Sequence, residues 1–126
     1  MIPFHNFQEF TLFLYLHVAH ADGALQAAEE AVVRDKMQSL FDAGTDTEMK
    51  FQELLTHYRS CRKEDLPAII RDTFHHFSAV RFATKYKVYT DLFDIINADG
   101  KVEASEAETI RQLRDLMESH SQQPAE

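Results

Sequence analysis

The sequence predicts an all-α protein, a single compact bundle of about six helices, and three observations carry that expectation. Only three Gly and three Pro interrupt 126 residues, far fewer turn residues than an all-β chain of this length needs. Apolar residues recur at spacings of three and four, the helical period. Two segments offset by 77 positions share one helix-turn-helix pattern. With 44% hydrophobic residues, a chain of this size can withdraw roughly two-thirds of its unfolded surface from water, so a core needs no covalent staples.

Phe7, Phe10, Leu14 and Val18, widened by Phe13, Leu16 and Ala21, predict a mostly buried helix over 4–21, closed by Asp22-Gly23 because Gly accepts the left-handed turn that ends helices. Val33, Met37 and Leu40, flanked by Val32 and Phe41, predict a second over 27–41, stopped at Ala43-Gly44-Thr45. Phe51, Leu54, Leu55 and Tyr58 predict a third within 46–60, with Asp46 or Thr47 as N-cap. After the polar link Arg62-Lys63-Glu64, Asp65-Leu66-Pro67 reads as a helix opening, where the N–H that Pro lacks would be unpaired anyway. Ile69, Ile70, Phe74 and Phe77 form that helix's stripe. A fifth helix is expected over 79–97 on Phe82, Tyr86, Tyr89, Leu92, Phe93 and Ile96, closed by Asp99-Gly100. The last is expected over 104–119 with Ile110, Leu113 and Met117 inward. The domain is thus expected to span 1–119, with 120–126 a polar, frayed tail.

Thirteen Lys and Arg against 21 Asp and Glu give a formal charge of -8, which repels a phosphate backbone and argues against general nucleic-acid binding. Residues 57–90 run the other way: Arg59, Arg62, Lys63, Arg71, Arg81, Lys85 and Lys87 stand against three acids. Arg59, Arg62, Lys63, Arg81, Lys85 and Lys87 are therefore the candidates for a basic face that meets an anionic partner. Cys61 is the single cysteine, which excludes an intrachain disulfide and suits a reducing compartment. No apolar run approaches the ~20 residues of a membrane span, and the start MIPFHNFQEF lacks the features of a signal peptide. A cytoplasmic location is expected.

The repeat is the most informative feature. Ala21-Asp22-Gly23-Ala24-Leu25-Gln26-Ala27-Ala28-Glu29 and Ala98-Asp99-Gly100-Lys101-Val102-Glu103-Ala104-Ser105-Glu106 share five of nine residues. Arg34 falls over Arg111, Val33 over Ile110 and Leu40 over Met117. Each copy is the elbow of a helix hairpin: Gly for the turn, an apolar residue two places on to pin the loop, and an acid seven places after the Asp. Local capping explains one elbow, with Asp accepting loop N–H groups and Glu serving the helix start. It does not require Asp and Glu at the same places twice. Two elbows related by a pseudo-two-fold axis would gather Asp22, Glu29, Asp99 and Glu106, and four carboxylates together call for a cation or basic side chains. Arg34 and Arg111 are the rival neutralisers, which would make the acids a salt-bridged brace.

An EF-hand calcium loop shares the Gly, the apolar residue and the terminal Glu of this pattern. Counting back from Gly100 places Asn97 third and Ile95 first; counting back from Gly23 places His20 third and Val18 first. The first place must supply an oxygen and is apolar in both copies, so each loop is half a calcium site, with His20 and Asn97 as helpers.

The doubled segments VAHADGALQAAEEAVV and IINADGKVEASEAETI, near the two ends of one helical chain, resemble the TerB-like family: the tellurite-resistance TerB proteins and the related N-terminal domain of membrane-anchored DnaJ-type co-chaperones. The resemblance implies a compact all-α domain, cytoplasmic or at the inner membrane face, associated with stress response and binding a divalent metal (calcium, magnesium or zinc) through Asp22, Glu29, Asp99 and Glu106. It implies no catalysis and no organic cofactor. The chain departs from the family's pattern at Ala24 and Ala27-Ala28 of the first loop, and it carries no J-domain. The partner implied is another protein, with a homo-oligomer an open alternative.

Other chemistry has weaker support. His17 and His20 followed by Asp22 have zinc-ligand types, but His17 adjoins the apolar stripe and reads as a hydrogen-bonded, half-buried side chain. His75-His76 point apart on one helix. Cys61 lies one turn from His57 between Arg59 and Arg62, surroundings that lower a thiol pKa, yet no oxyanion site accompanies it. Phosphate-cradling glycine loops are absent. The expectation is a non-enzymatic scaffold or sensor whose acidic elbows take a cation or basic partner. Its alternative is a structural interaction module working through the basic 59–87 face.

Overall fold

The computed structural model describes residues 4, 6–20, 27–41, 44–77, 79, 82–98 and 104–120, with the side chains of 82, 104–106 and 116–120 outside the description. The described residues form six helices and one 3₁₀ turn: α1 (Phe7–Ala19), α2 (Ala27–Leu40), α3 (Thr47–Ser60), the turn (Lys63–Asp65), α4 (Leu66–His76), α5 (Phe82–Ile96) and α6 (Ala104–His120). The all-α expectation holds, and every expected helix is present. Among the described residues no helix is long and apolar enough to cross a membrane.

Helix α1 starts later than its apolar stripe suggests because Asn6 is its N-cap, its side-chain oxygen accepting the Glu9 N–H at 2.9 Å. It is the central helix, packed against α2, α3, α5 and α6. Ten of its residues are buried: Glu9, Phe10, Thr11, Leu12, Phe13, Leu14, Tyr15, Leu16, Val18 and Ala19. A helix buried on every side loses the polar face that a surface helix keeps. Phe10 packs edge-on against Phe74 of α4 at 5.0 Å, and Phe7 meets Phe77 at 5.6 Å. Burying each such ring contributes roughly 1.5–3 kcal/mol.

Asp46 caps α3, accepting the Met49 N–H at 3.0 Å, and Pro67 stands in the first turn of α4, both as the sequence predicts. Helix α5 corrects the expected register. Its buried face is Lys85, Val88, Asp91, Leu92, Ile95 and Ile96, whereas Tyr86 and Phe93, expected inward, are exposed at 55% and 38%. The segment carries two apolar stripes at helical spacing, and the bundle buries the aliphatic one. Tyr89 lies between the two at the core edge, edge-on to Phe93 at 5.2 Å. Ile110 and Leu113 are buried on α6 as expected; the Met117 side chain, the closers Asp22-Gly23 and Asp99-Gly100, and the 121–126 portion of the tail lie outside the described residues.

Candidate functional site

Of the four elbow acids, the Glu29 side chain alone is described; Asp22, Asp99 and the Glu106 side chain lie outside the described residues. Glu29 sits in the first turn of α2 and has no accessible surface. A helix start supplies N–H groups and positive dipole character that suit a carboxylate there. Even so, a fully buried carboxylate requires donors or positive charge around it. Among the described residues no group of three or more His, Cys, Asp or Glu is arranged to hold a metal.

The two arginines suggested as neutralisers are engaged elsewhere. Arg34 donates through Nε to Glu30 at 2.8 Å and through a terminal nitrogen to Glu48, and its guanidinium lies 4.1 Å over the Phe51 ring. It ties α2 to α3, and the hydrogen bonds it donates to Glu48 and Glu30 raise its pKa. Arg111 clamps Glu108 on its own helix at 2.5–2.6 Å. Among the described residues neither arginine pairs with an elbow acid.

The suggested helpers also have local roles. Asn97 is exposed and its amide N–H donates to the Phe93 carbonyl at 2.9 Å, tying off the end of α5. His20 caps α1, donating from Nδ1 to the Leu16 carbonyl at 2.7 Å, and its Nε2 is buried with no hydrogen-bond partner among the described residues. It lines a pocket of about 170 Å³ with Tyr58, Arg59, Cys61, Lys63 and Leu66. Two cationic side chains on that wall are unfavourable surroundings for a divalent ion.

The basic segment does not form one face. Arg59, Arg62 and Lys63 are exposed at the end of α3 and in the following turn, with Arg62 Nε 3.4 Å from Asp65. Lys85, expected on the same face, is fully buried, and burial lowers its pKa. Lys87 is exposed but directed at Asp91. Arg81 lies outside the described residues. The Cys61 thiol is half-buried and donates to the His57 carbonyl at 3.3 Å. Burial and the nearby Asp65 push its pKa up, against the activation that Arg59 and Arg62 suggested. His17 behaves as expected: it shares a hydrogen bond with the Tyr58 hydroxyl at 3.0 Å, and burial, then the neighbouring His20, lowers its pKa to about 4.

A cleft of about 210 Å³ lies where α1, α2 and α5 meet. Its floor is Asp91, 6% exposed. The Asp91 carboxylate accepts from the Tyr15 hydroxyl at 2.8 Å, from Lys36 Nζ at 3.0 Å and from Lys87 Nζ at 3.0 and 3.1 Å. Lys36 reaches Asp94 as well, at 2.9 Å. Burial alone would raise the Asp91 pKa, but the hydrogen bonds from Lys36, Tyr15 and Lys87 outweigh it and hold the carboxyl below its usual range. Burial and the Asp91 contact push the Tyr15 hydroxyl far above its ordinary value. Phe7, Leu40 and Val88 give the cleft an apolar wall. Sequence reasoning missed this site. The i, i+4 spacing of Lys87 and Asp91 was a readable signal; the approach of Lys36 and Tyr15 from other helices was not.

A family model described as tellurite resistance protein TerB matches residues 8–124 of the chain. No curated protein and no solved structure matches it.

Proposed function

The chain belongs to the TerB family, and from that premise we propose that it is a non-enzymatic, stress-associated helical domain that binds a divalent cation, or a basic group of a partner protein, through its two acidic elbows. Asp22, Glu29, Asp99 and Glu106 are the residues that would hold the ion, and the ion would supply the positive charge that four gathered carboxylates need. The observation that carries the reading is Glu29: a carboxylate without accessible surface in the first turn of α2. The donor set fits a hard cation, since it offers carboxylate oxygens and no thiolate. Binding would lock the two hairpins together and present a fixed surface to a partner, a scaffold or sensor role.

The test is to strip the protein with chelator and follow its melting as calcium, magnesium, manganese and zinc are added separately. The reading expects saturable stabilisation by one ion, because a ligand that binds only the folded state shifts the transition by mass action, about 2.7 kcal/mol at a hundredfold excess over Kd. Asp99→Asn with Glu106→Gln should abolish that response with little loss of fold. Melting that ignores every ion overturns it. The exposure of Arg59, Arg62 and Lys63 would then favour the second reading, an interaction module that meets an anionic partner through the end of α3.

A further inference from the structure

We propose that the cleft between α1, α2 and α5 is a binding site for a small amphipathic monocarboxylate, an acid of about six carbon atoms. Three observations converge on that chemistry. The first is charge. The cleft wall carries Lys36, Lys87 and Asp91, two ammonium groups against one carboxylate, while Asp94, which takes the second Lys36 hydrogen bond, is not part of the wall. The four charges of the cluster balance, but Asp91 is only 6% exposed while the Lys87 side chain is 70% exposed, so the charge that this wall shows to the cleft of a chain of formal charge -8 is that of its ammonium groups. An anion is the ligand such a wall favours.

The second is unused donor capacity. Asp91 is held by Tyr15 and both lysines, so its negative charge is already met. Each ammonium has three donors, and the Lys87 side chain is 70% exposed, leaving an N–H to direct at a carboxylate in the cleft. Asp91 fixes where both ammonium groups stand, which is the preorganisation that anion recognition needs. The third is shape. In the same cleft Phe7, Leu40 and Val88 offer an apolar surface, and the volume of about 210 Å³ suits a small acid, given that a dry cavity of roughly 150 Å³ takes benzene. The head would sit at Lys36 and Lys87 and the body against the apolar wall. None of the elbow acids lines this cleft, so the site stands or falls independently of the cation.

The experiment is amide-resolved NMR titration of the full chain, in chelator, with hexanoate, 1-hexanol and hexylammonium. Hexanoate should give saturable shifts at Lys36, Thr84, Lys87 and Val88 with a Kd on the order of a millimolar, and 1-hexanol should bind at least about tenfold more weakly. Lys87→Met, at an exposed position, should keep the fold and weaken hexanoate about tenfold. Equal affinity for hexanoate and 1-hexanol, tighter binding of hexylammonium, an unaffected Lys87→Met, or no saturable shift at concentrations on the order of tens of millimolar would each overturn the proposal.

Discussion

The two hairpins that carry the repeated elbow, α1–α2 and α5–α6, are alike in motif and unlike in burial. Helix α1 is buried along ten of its thirteen residues. Helix α5, its counterpart, turns Lys85, Val88, Asp91, Leu92, Ile95 and Ile96 inward and leaves Tyr86 and Phe93 at the surface. At the offset of 77, Leu14 in the first copy corresponds to Asp91 in the second, and Lys36 corresponds to Leu113. Both leucines are in the core, while Lys36 and Asp91 pair across the two copies at 3.0 Å. A motif repeated in the sequence therefore does not make the two copies alike: the residues around the motifs decide which copy becomes the core and which keeps a polar seam.

That contrast yields four tests, beginning with the largest effect. Phe10→Ala in α1 should cost about 4 kcal/mol in denaturant unfolding, because the ring is fully buried against Phe74 and truncation leaves a cavity. A loss below about 1 kcal/mol would mean that α1 is not the centre of the core. Asp91→Asn should cost about 3 kcal/mol at neutral pH, since it leaves Lys36, whose side chain is 18% exposed, without its buried counter-charge. Restoration by the double variant Lys36→Met/Asp91→Leu would identify the seam as polar in sequence but replaceable in energy.

Acid should weaken the first hairpin through His17. Its folded pKa is about 4, whereas an unfolded histidine titrates near 6.5. Between those values the unfolded chain binds the extra proton, so stability falls as pH drops from about 6.5 to about 4, by roughly 2–3 kcal/mol. His17→Gln should flatten that part of the profile. Asp91 acts at lower pH: its carboxyl is depressed in the fold, so the stability it contributes is present above about 4 and is lost as pH falls further. The smallest effects belong to the outer face of α5, where Tyr86→Ser and Phe93→Ser should each change stability by about 0.5 kcal/mol or less. A larger loss at either would place it under a neighbouring surface.

Much of this was legible in the residues themselves. The Asp46 cap, the Pro67 opening and the stripes of α1 through α4 are local signals, spelled out within one or two turns of chain. The half-buried, hydrogen-bonded state of His17 was also readable, because it adjoins Val18 in an apolar run. The inward face of α5 was legible only in part: Leu92 and Ile96 are buried as expected, but Phe82, Tyr86, Tyr89 and Phe93 make as regular a stripe as Val88, Leu92, Ile95 and Ile96. Lys85 read as surface charge and is buried, and the ties of Arg34 to Glu30 and Glu48 were not read at all. Charged side chains are long, and their partners come from whichever helix packs alongside, which periodicity does not encode.

The sequence by itself determined the helical class, the number of helices, the Asp46 cap of α3, the Pro67 opening of α4 and the family. Those properties follow from backbone chemistry and from residues a few positions apart, where spacing is structure. Only the tertiary arrangement decided which of two stripes on α5 faces the core, that Tyr15, Lys36 and Lys87 converge on Asp91, and that a cleft with a cationic wall opens beside them. Those contacts join residues up to 76 positions apart. They exist because burying Asp91 is tolerable only where three helices deliver enough donors to one carboxylate.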